Sequence, residues 1–385
     1  MNAPFDRGAS FVATAALHAD DVDRKGRFPA EAVQALKDAR LLSLMIPAEL
    51  GGGGASLADV AEICTTLGQQ CASTAMVFAM HQIKVSSLVS HGMKSEWHRS
   101  FMRRIADEQL LLASATTEGG VGGNLRNSVC AFEREGEIFR VAKEGALISY
   151  GAASDAILVT ARRAPDAPPS DQRMAVLTRG QFKLERTGEW DALGMRGTCS
   201  EGFTLSGEAP CEQILESEFA DIASHSMLAT AHLLWSSVWF GIAGDALARA
   251  QAFVRKEARK RFDANSPGTL RLAEASTKLQ LMRVNVTEGL KRFAQAQRDP
   301  DDLNSMGFAV AMNNIKIASS ELSIEIINHA LLIAGIAGYK NGTPYSVGRH
   351  MRDALSARVM ISNDRILSNM STLLLAQRID ARLGD

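Results

Sequence analysis

The sequence predicts a mainly α-helical protein with a central β-domain. Apolar residues recur at helical spacing from Pro29 onward, and the pattern changes to short alternating runs between Leu110 and Ile214. Long helical segments return after Glu216. Because 385 residues exceed the usual size of one hydrophobic core, we expect three domains, over residues 1–109, 110–215 and 216–385.

The N-terminal domain is predicted to be helical. Ala32, Leu36 and Ala39 share one face of a helix that begins at Pro29, a residue suited to a first helical turn. The four glycines at 51–54 interrupt the chain. Helix is predicted again from 56 to about 91 and from 95 to 106.

The middle domain shows the alternation typical of β-strands, in runs such as 138–141, 156–161 and 182–185. Glycines and a proline-rich stretch at 165–170 separate these runs, as turns do. After residue 216 the breaks fall near 265–268, 299–300 and 338–344. Long helices joined by short loops predict an antiparallel four-helix bundle.

Composition argues against several classes of function. A net charge of -1 gives no electrostatic footprint for nucleic acid or an anionic membrane, and no apolar run approaches the roughly 20 residues of a membrane span. Residues 1–7 lack the pattern of a secretory signal. The five cysteines are scattered, so we expect reduced thiols in a cytoplasmic protein without zinc. No Gly-x-Gly-x-x-Gly follows a strand, which argues against a Rossmann nucleotide site.

Five short motifs, in order, resemble those of the acyl-CoA dehydrogenase superfamily, and the resemblance runs from Pro29 to Ala376. It implies an N-terminal helical domain, a middle β-barrel domain and a C-terminal four-helix bundle. The motifs are Pro-Ala-Glu-Leu-Gly-Gly at 47–52, Thr-Glu-Gly-Gly-Val-Gly-Gly-Asn at 117–124, Leu-Ile-Ser at 147–149, Leu-Gly-Met-Arg-Gly-Thr at 193–198 and Arg-Asp-Ala at 352–354.

The resemblance also implies a flavin, FAD or alternatively reduced FMN, whose ring chemistry is tuned by surrounding protein groups. It would place the Ser149 hydroxyl near flavin N5, and Gly122 and Gly123 near phosphate. A second subunit would complete the site through Arg259 and Phe262, so a homodimer or homotetramer is expected. The full predicted cofactor set is Thr116, Thr117, Gly122, Gly123, Ile148, Ser149, Arg259, Phe262, Gly335, Gly338 and Asn363.

The usual catalytic base is absent. Dehydrogenases of this family remove an α-proton with a glutamate, whose pKa can rise in a dry site. In the commonest branch the glutamate position falls on Ile361, and in a second branch it falls near Ala231. Neither is a carboxylate. Candidate replacements are His81, His232 and Asp364, although core packing for a lone histidine and helix capping for Asp364 are the commoner roles.

Other departures affect the predicted contacts to the adenosine half of FAD. Leu332 stands where a glutamine is expected, Asp263 replaces a glycine, and Gly123 replaces a serine. These differences bear on how tightly FAD is held, and leave the predicted fold unchanged.

Three functions therefore compete. The first, which the sequence favours, is dehydrogenation of an acyl thioester, carried on coenzyme A or a carrier protein, with an unorthodox base and an electron-acceptor flavoprotein as partner. The second is a two-component monooxygenase of the same fold, which receives reduced flavin from a separate reductase. The third is a flavin-binding scaffold without turnover. No partner nucleic acid or membrane is expected.

Overall fold

The computed structural model describes residues 9–119, 125–261 and 267–379. By internal contacts the chain divides into two units, Met1–Ala231 and His232–Asp385. The fold class predicted from the sequence, mainly α with a β-containing middle domain and a C-terminal helical region, is confirmed.

The first unit begins with five helices. The predicted helix over 56–91 is two helices, because Cys71 adopts an extended conformation between them. Ser56 and Asp59 form a capping box at the start of the third helix, which satisfies backbone N–H groups there. The bounds are α1 Ala9–Lys25, α2 Ala30–Asp38, α3 Leu57–Gln70, α4 Ala72–His91 and α5 Glu96–Glu108.

Seven strands follow, in two sheets rather than in one closed barrel among the described residues. The first sheet has the order β1-β4-β5, and the second has the order β2-β3-β7-β6. All pairs are antiparallel except β1 with β4. The bounds are β1 Leu112–Ala115, β2 Glu133–Glu135, β3 Ile138–Ser149, β4 Ala156–Arg162, β5 Gln172–Thr178, β6 Phe182–Gly188 and β7 Ser200–Pro210.

One hydrophobic core joins helices and strands of the first unit. Val85 and Leu88 of α4 pack with Phe101 of α5, Leu158 of β4 and Val176 of β5, all fully buried or nearly so. α4 is covered on almost every side, with 17 of its 20 residues buried, so it is a central helix of this unit. A short helix, α6 Phe219–Ile222, and one π-helical turn, Ala223–Met227, lead into α7 Leu228–Arg261.

The second unit contains the rest of α7 and six further helices. α10 packs against α8, α12 and α13. The fourth long segment predicted from the sequence is two helices, since the chain turns at residues 360–362. The bounds are α8 Pro267–Ala296, α9 Pro300–Leu303, α10 Met306–Ala334, α11 Ile336–Tyr339, α12 Gly348–Val359 and α13 Asn363–Ala376.

Two helical stretches, Phe219–Arg259 and Met306–Ala334, are long and apolar enough on average to pass a length-and-composition test for membrane spans. The most apolar window of the first is 78% buried within the protein, as in a core helix. Core helices of soluble proteins pass the same test, so the expected absence of a membrane partner stays a prediction.

The predicted domain boundaries also stay a prediction. Helix gives way to strand between Glu108 and Leu112, and strand gives way to helix between Pro210 and Phe219. These changes of secondary structure coincide with the predicted limits, whereas the division by contacts places a single boundary after Ala231.

Candidate flavin site

The loop that follows β1 carries two of the predicted flavin contacts, Thr116 and Thr117. Both threonines are half-buried. The Thr117 hydroxyl donates to the Leu147 carbonyl at 3.0 Å, and the Gly119 N–H donates to the Glu144 carbonyl at 3.0 Å. These two bonds fasten the loop to β3.

Glu118 anchors the same loop from inside the protein. Its carboxylate accepts hydrogen bonds from Ser128 Oγ at 2.8 Å, Val129 N at 3.0 Å and Cys130 N at 2.8 Å, and it lies 3.5 Å from the buried ammonium of Lys143. Burial raises the pKa of Glu118, but the Lys143 charge and these hydrogen bonds outweigh burial, so its pKa lies below the usual range. The charged, fully bonded carboxylate therefore holds Thr116 and Thr117 in place.

The end of β3 is irregular where the third family motif falls. The pairing of β3 with β7 shifts between Gly145 and Ile148, which is a β-bulge. Ile148 is buried, whereas Leu147 is 48% exposed and Ser149 is half-buried. The bulge therefore turns the Ser149 end of β3 and directs the Leu147 carbonyl to the Thr117 hydroxyl.

Three hydroxyl groups form a chain at this end of the sheet, which we call the hydroxyl relay: Ser149, Ser200 and Thr198. Ser149 Oγ lies 2.7 Å from Ser200 Oγ, and Ser200 Oγ lies 2.8 Å from Thr198 Oγ1. Thr198 Oγ1 in turn donates to the Met195 carbonyl at 2.9 Å. The relay thus connects a half-buried hydroxyl to the interior of the domain.

The backbone around the relay adopts conformations that L-residues rarely use. Tyr150, Met195 and Cys199 have φ angles of 44°, 50° and 43°. Tyr150 N–H donates to the Thr198 carbonyl at 2.8 Å, which pins this arrangement. Positive φ at non-glycine residues is uncommon and costs energy, and such residues concentrate at functional sites. We therefore treat this edge of the sheet as the candidate site, and its role in binding stays a prediction.

In the second unit, the turn between α12 and α13 is where the family's glutamate would be. Ile361 occupies it with a φ of 50°, another strained non-glycine residue. Its side chain packs against an apolar cluster of Val310, Ile366 and Met370 on α10 and α13. Ile361 is therefore a packing residue.

Lys316 of α10 holds this turn from beneath. Its ammonium donates to the carbonyls of Ala357 at 2.9 Å and Ile361 at 2.6 Å, and to Asn363 Oδ1 at 2.6 Å. Lys316 is fully buried, and burial lowers its pKa to about 8, so it remains protonated at neutral pH. Three acceptors use all three of its N–H groups. A buried cation therefore bonds the backbone carbonyl of Ile361, the residue at which the resemblance places the dehydrogenases' glutamate.

Asn363, one of the predicted cofactor contacts, belongs to the same network. Its amide donates to Ser320 Oγ at 2.9 Å and to Glu321 Oε1 at 2.9 Å. The other oxygen of Glu321 accepts from Arg358. Both oxygens of the Glu321 carboxylate thus accept hydrogen bonds from other side chains, and the Asn363 side chain bonds to groups within the protein.

The first candidate base, His81, is built into the core of the first unit. Its Nδ1 accepts from the Leu112 N–H at 3.0 Å, so its Nε2 carries the proton and donates to the Leu42 carbonyl at 2.6 Å. Burial lowers its pKa to about 4. Both ring nitrogens tie α4 to its neighbours, and neither is free to receive a proton from a substrate.

The other two candidates are also poorly matched to proton abstraction. His232 is buried, its Nδ1 lies 3.3 Å from the Met312 carbonyl and its Nε2 has no partner. Burial, and secondarily the charge of Lys316, lower its pKa to about 4, which makes it a weak base at neutral pH. Asp364 is exposed in the first turn of α13, where a carboxylate favours the helix N-terminus.

The remaining predicted contacts are spread over the second unit or lie outside the described residues. Arg259 is exposed near the end of α7. Gly335 ends α10 with a φ of 55°, and a Cβ at Gly338 would meet the Ala334 side chain at 2.8 Å, so both positions suit glycine. Gly122, Gly123 and Phe262 lie outside the described residues. Their roles, like the others in this set, stay predictions.

Sequence reasoning missed the groups that the structure brings together around these positions. Ser200 carries no pattern that sets it apart from ordinary strand residues, and the motif that ends at Thr198 gave no sign that this threonine bonds to Ser200. Lys316 and Lys84 gave a weak signal, since each is a lone cation inside an apolar helix. A buried pair, His350 Nε2 to Asp245 Oδ2 at 2.7 Å, joins α12 to α7 and was also missed, because the partners are 105 residues apart.

Two family models match the chain. "Acyl-CoA dehydrogenase, N-terminal domain" covers residues 6–109, and "Acyl-CoA dehydrogenase, C-terminal domain" covers residues 223–369. Together they cover more than half of the chain in the order that the fold requires. The chain belongs to the acyl-CoA dehydrogenase superfamily, and its cofactor class is a flavin, FAD or FMN.

Relatives within this superfamily perform different reactions. Cyclohex-1-ene-1-carbonyl-CoA dehydrogenase of Geobacter metallireducens is 26% identical over 353 residues, which cover 90% of each chain. L-evernosamine nitrososynthase of a Micromonospora species is also 26% identical, covering 88% of this chain and 82% of that protein. FMN-bound TdsC from Paenibacillus sp. A11-2, a dibenzothiophene monooxygenase, has a TM-score of 0.85 at 20% identity and 98% coverage of both chains.

The residues at the Ser149 end of β3 fit a flavin by the chemistry of their donors and acceptors. A flavin ring presents hydrogen-bond donors and acceptors at its pyrimidine edge and N5. The half-buried hydroxyls of Thr117 and Ser149 lie on the two chain segments that the Thr117–Leu147 bond joins. The family resemblance predicted a flavin contact on each of these two segments, and the contacts themselves stay predictions.

Proposed function

We propose that this chain is the oxygenase component of a two-component flavin-dependent monooxygenase. The observation that carries the proposal is the turn at Ile361. Its side chain packs against apolar residues, and its carbonyl is held by the Lys316 ammonium. Removal of an α-proton requires a base within reach, whereas oxygen insertion does not require the removal of an α-proton.

The state of the candidate bases supports the same proposal. His81 has both ring nitrogens bonded to backbone groups, His232 has a pKa of about 4, and Asp364 is exposed to water. None of them combines access, basicity and a dry environment. The order of preference set by the sequence, dehydrogenase before monooxygenase, is reversed on this ground.

In the proposed reaction the protein's residues bind and orient the flavin. Thr116 and Thr117 would hold the ring, since they lie on the loop that Glu118 anchors, and Ser149 would offer its hydroxyl to N5. When bound, a reduced flavin supplies two electrons with which one atom of molecular oxygen enters the substrate and the other leaves as water.

Dehydrogenation of an acyl thioester is the second candidate. It is favoured by the cyclohex-1-ene-1-carbonyl-CoA dehydrogenase, which aligns over 90% of both chains. It is also favoured by the exposed Arg259 at the end of α7, because the resemblance assigns this arginine to FAD across subunits. Under this alternative the electrons pass to an acceptor flavoprotein.

The proposal is tested by following flavin absorbance after oxygen is mixed with the protein and one equivalent of anaerobically reduced FMN or FAD. A monooxygenase is expected to reoxidise its flavin in two resolved steps, slower overall than free flavin measured as the control. Reoxidation in one step at the rate of free flavin would count against the proposal. The same experiment is done with FMN and with FAD, and the flavin that shows the two-step reoxidation is assigned as the cofactor.

A further inference from the structure

The hydrogen bonds of the hydroxyl relay run in one direction. The Met195 carbonyl oxygen can only accept, so the Thr198 hydroxyl, at 2.9 Å, donates to it. Because this bond uses the single hydroxyl hydrogen of Thr198, Ser200 Oγ is left to donate to Thr198 Oγ1 at 2.8 Å, and Ser149 Oγ to donate to Ser200 Oγ at 2.7 Å. Each hydroxyl hydrogen points into the domain, and the lone pairs of Ser149 point outward.

We propose that the hydroxyl relay makes Ser149 a hydrogen-bond acceptor and that this presets the site for reduced flavin in preference to oxidised flavin. The inference rests on the proposed function, in which Ser149 meets flavin N5. In the reduced ring N5 carries a hydrogen and donates, whereas in the oxidised ring N5 only accepts. An outward lone pair on Ser149 is complementary to the reduced ring alone.

The inner hydroxyls of the relay are shielded from water, which could otherwise reverse the direction of their hydrogen bonds. Ser200 and Thr198 are buried. Ser149 and Ser200 are direct partners in the antiparallel pairing of β3 with β7, so their side chains stand on the same face of the sheet. Because water does not reach the two inner hydroxyls, the acceptor at the inner end determines the direction.

Reversing the relay would cost one hydrogen bond. To donate to N5 of the oxidised ring, Ser149 would have to accept a hydrogen bond from Ser200, and Ser200 would have to accept one from Thr198. The hydrogen bond from Thr198 to the Met195 carbonyl would then be lost. The Met195 carbonyl also accepts from Thr198 N and Trp190 Nε1, both at 3.1 Å, so the lost bond is a shared one. One net hydrogen bond corresponds to a factor of about three to ten in an equilibrium constant.

The test compares affinities for the two redox states without turnover. Flavin-free protein is titrated anaerobically with oxidised and with reduced FMN, and the ratio of the two Kd values is measured. We expect the wild-type protein to bind reduced FMN more tightly. Ser200→Ala and Thr198→Val should each lower this preference about threefold to tenfold, a change of about 15–30 mV in the two-electron potential of the bound flavin.

Two further variants separate the relay from general effects of mutation. Thr198→Ser retains the terminal hydroxyl and should retain the wild-type ratio. Ser154→Ala removes a buried hydroxyl of the same domain that donates to the Gly151 carbonyl at 2.8 Å, outside the relay, and should leave the ratio unchanged. Because two positions are tested independently, loss of folding in one variant leaves the other to decide.

The outcomes are distinguishable from those that test the proposed function. An equal affinity for both redox states in the wild-type protein, or ratios unchanged by both Ser200→Ala and Thr198→Val, would overturn the relay inference even if two-step reoxidation is observed. A ratio that falls as expected supports the relay, and it does so whether or not oxygen transfer follows, since neither oxygen nor substrate is present in the titration.

Discussion

Lys84 is a residue whose burial is costly to the fold. It lies on α4 with only 9% of its surface exposed, and burial lowers its pKa to about 7. No carboxylate of the described residues offsets that burial. Because the charged form is destabilised in the folded state, the cost is complete below pH 7 and vanishes as both states become neutral above its usual pKa of 10.5.

Replacing Lys84 should therefore stabilise the protein. Lys84→Met is expected to raise the free energy of unfolding by about 1–3 kcal/mol at pH 6, with the gain shrinking toward pH 10. Denaturant unfolding at both pH values measures this. Lys94→Met, at an exposed lysine nearby, is the control and should change little. A loss of stability in Lys84→Met at pH 6 would contradict this and would show that Lys84 is charged and favourably paired in the folded protein.

Glu118, in contrast to Lys84, should stabilise the folded protein. Its pKa lies below the usual range, so its contribution is present above its unfolded pKa near 4.5 and is lost as the pH falls through the lower folded value. Glu118→Gln leaves Lys143 buried without a counter-charge and should cost about 2–4 kcal/mol at pH 7. Unfolding free energies between pH 3 and 7 test this.

The matched control for Glu118 is Glu135→Gln. Glu135 pairs with Arg140 at 2.8 Å on the surface of the same domain, and such exposed pairs contribute little. Equal losses for the two variants would mean that the Glu118 network is not what holds the loop. Flavin affinity should fall only in Glu118→Gln, because that loop carries Thr116 and Thr117.

At the scale of elements, the turn between α12 and α13 depends on Lys316. Lys316→Met would leave the Ala357 and Ile361 carbonyls and the Asn363 amide oxygen without their donor, and should cost about 2–4 kcal/mol. Hydrogen exchange should increase first in α12 and α13. The control is Lys278→Met, which removes a lysine paired with Glu325 between α8 and α10. Faster exchange throughout the bundle would argue against a local role.

The elements themselves were largely predictable, because helical and alternating periodicity are local properties of the sequence. Two details were not. The break at Cys71, which is extended and separates α3 from α4, is not marked by a proline or glycine at that position. The turn that divides the last helical segment depends on Lys316, which lies 45 residues before Ile361. Such features arise from tertiary contacts, which single-sequence periodicity does not contain.

The candidate site was predictable only where it follows family motifs. The motifs contain Thr117, Ser149 and Thr198, but the contact that joins the relay depends on Ser200, which reaches Ser149 through the pairing of β3 with β7. The sequence did show that Ile361 cannot be a base. Only the folded structure shows that the Ile361 carbonyl is bonded by a buried cation, Lys316.

At the scale of the whole molecule, we propose that the protein self-associates. The second unit exposes many large apolar side chains, whereas single scattered ones are usual on a protein surface. Two of them, Leu281 and Val284, lie three residues apart on α8 and are 57% and 55% exposed. A surface of this kind is typical of subunit interfaces, and the predicted sharing of a flavin site through Arg259 requires one.

Sedimentation velocity at micromolar concentration should therefore show a dimer or tetramer. The double variant Leu281→Glu and Val284→Glu is expected to shift the protein toward monomer, since two charges would be buried in the interface. Leu17→Glu, at a residue of α1 that is 77% exposed, is the control. A monomeric wild-type protein would remove the proposal of a shared flavin site.

The central claim, that this flavoprotein lacks a base for thioester dehydrogenation, is tested most directly by anaerobic mixing of the FAD-loaded and FMN-loaded protein with saturated acyl-CoA thioesters. Absorbance of the oxidised flavin is the measured quantity. We expect that no thioester in a series of short, long, branched and cyclic acyl groups bleaches the flavin. Rapid and complete bleaching by any of them would contradict it and would restore the dehydrogenase.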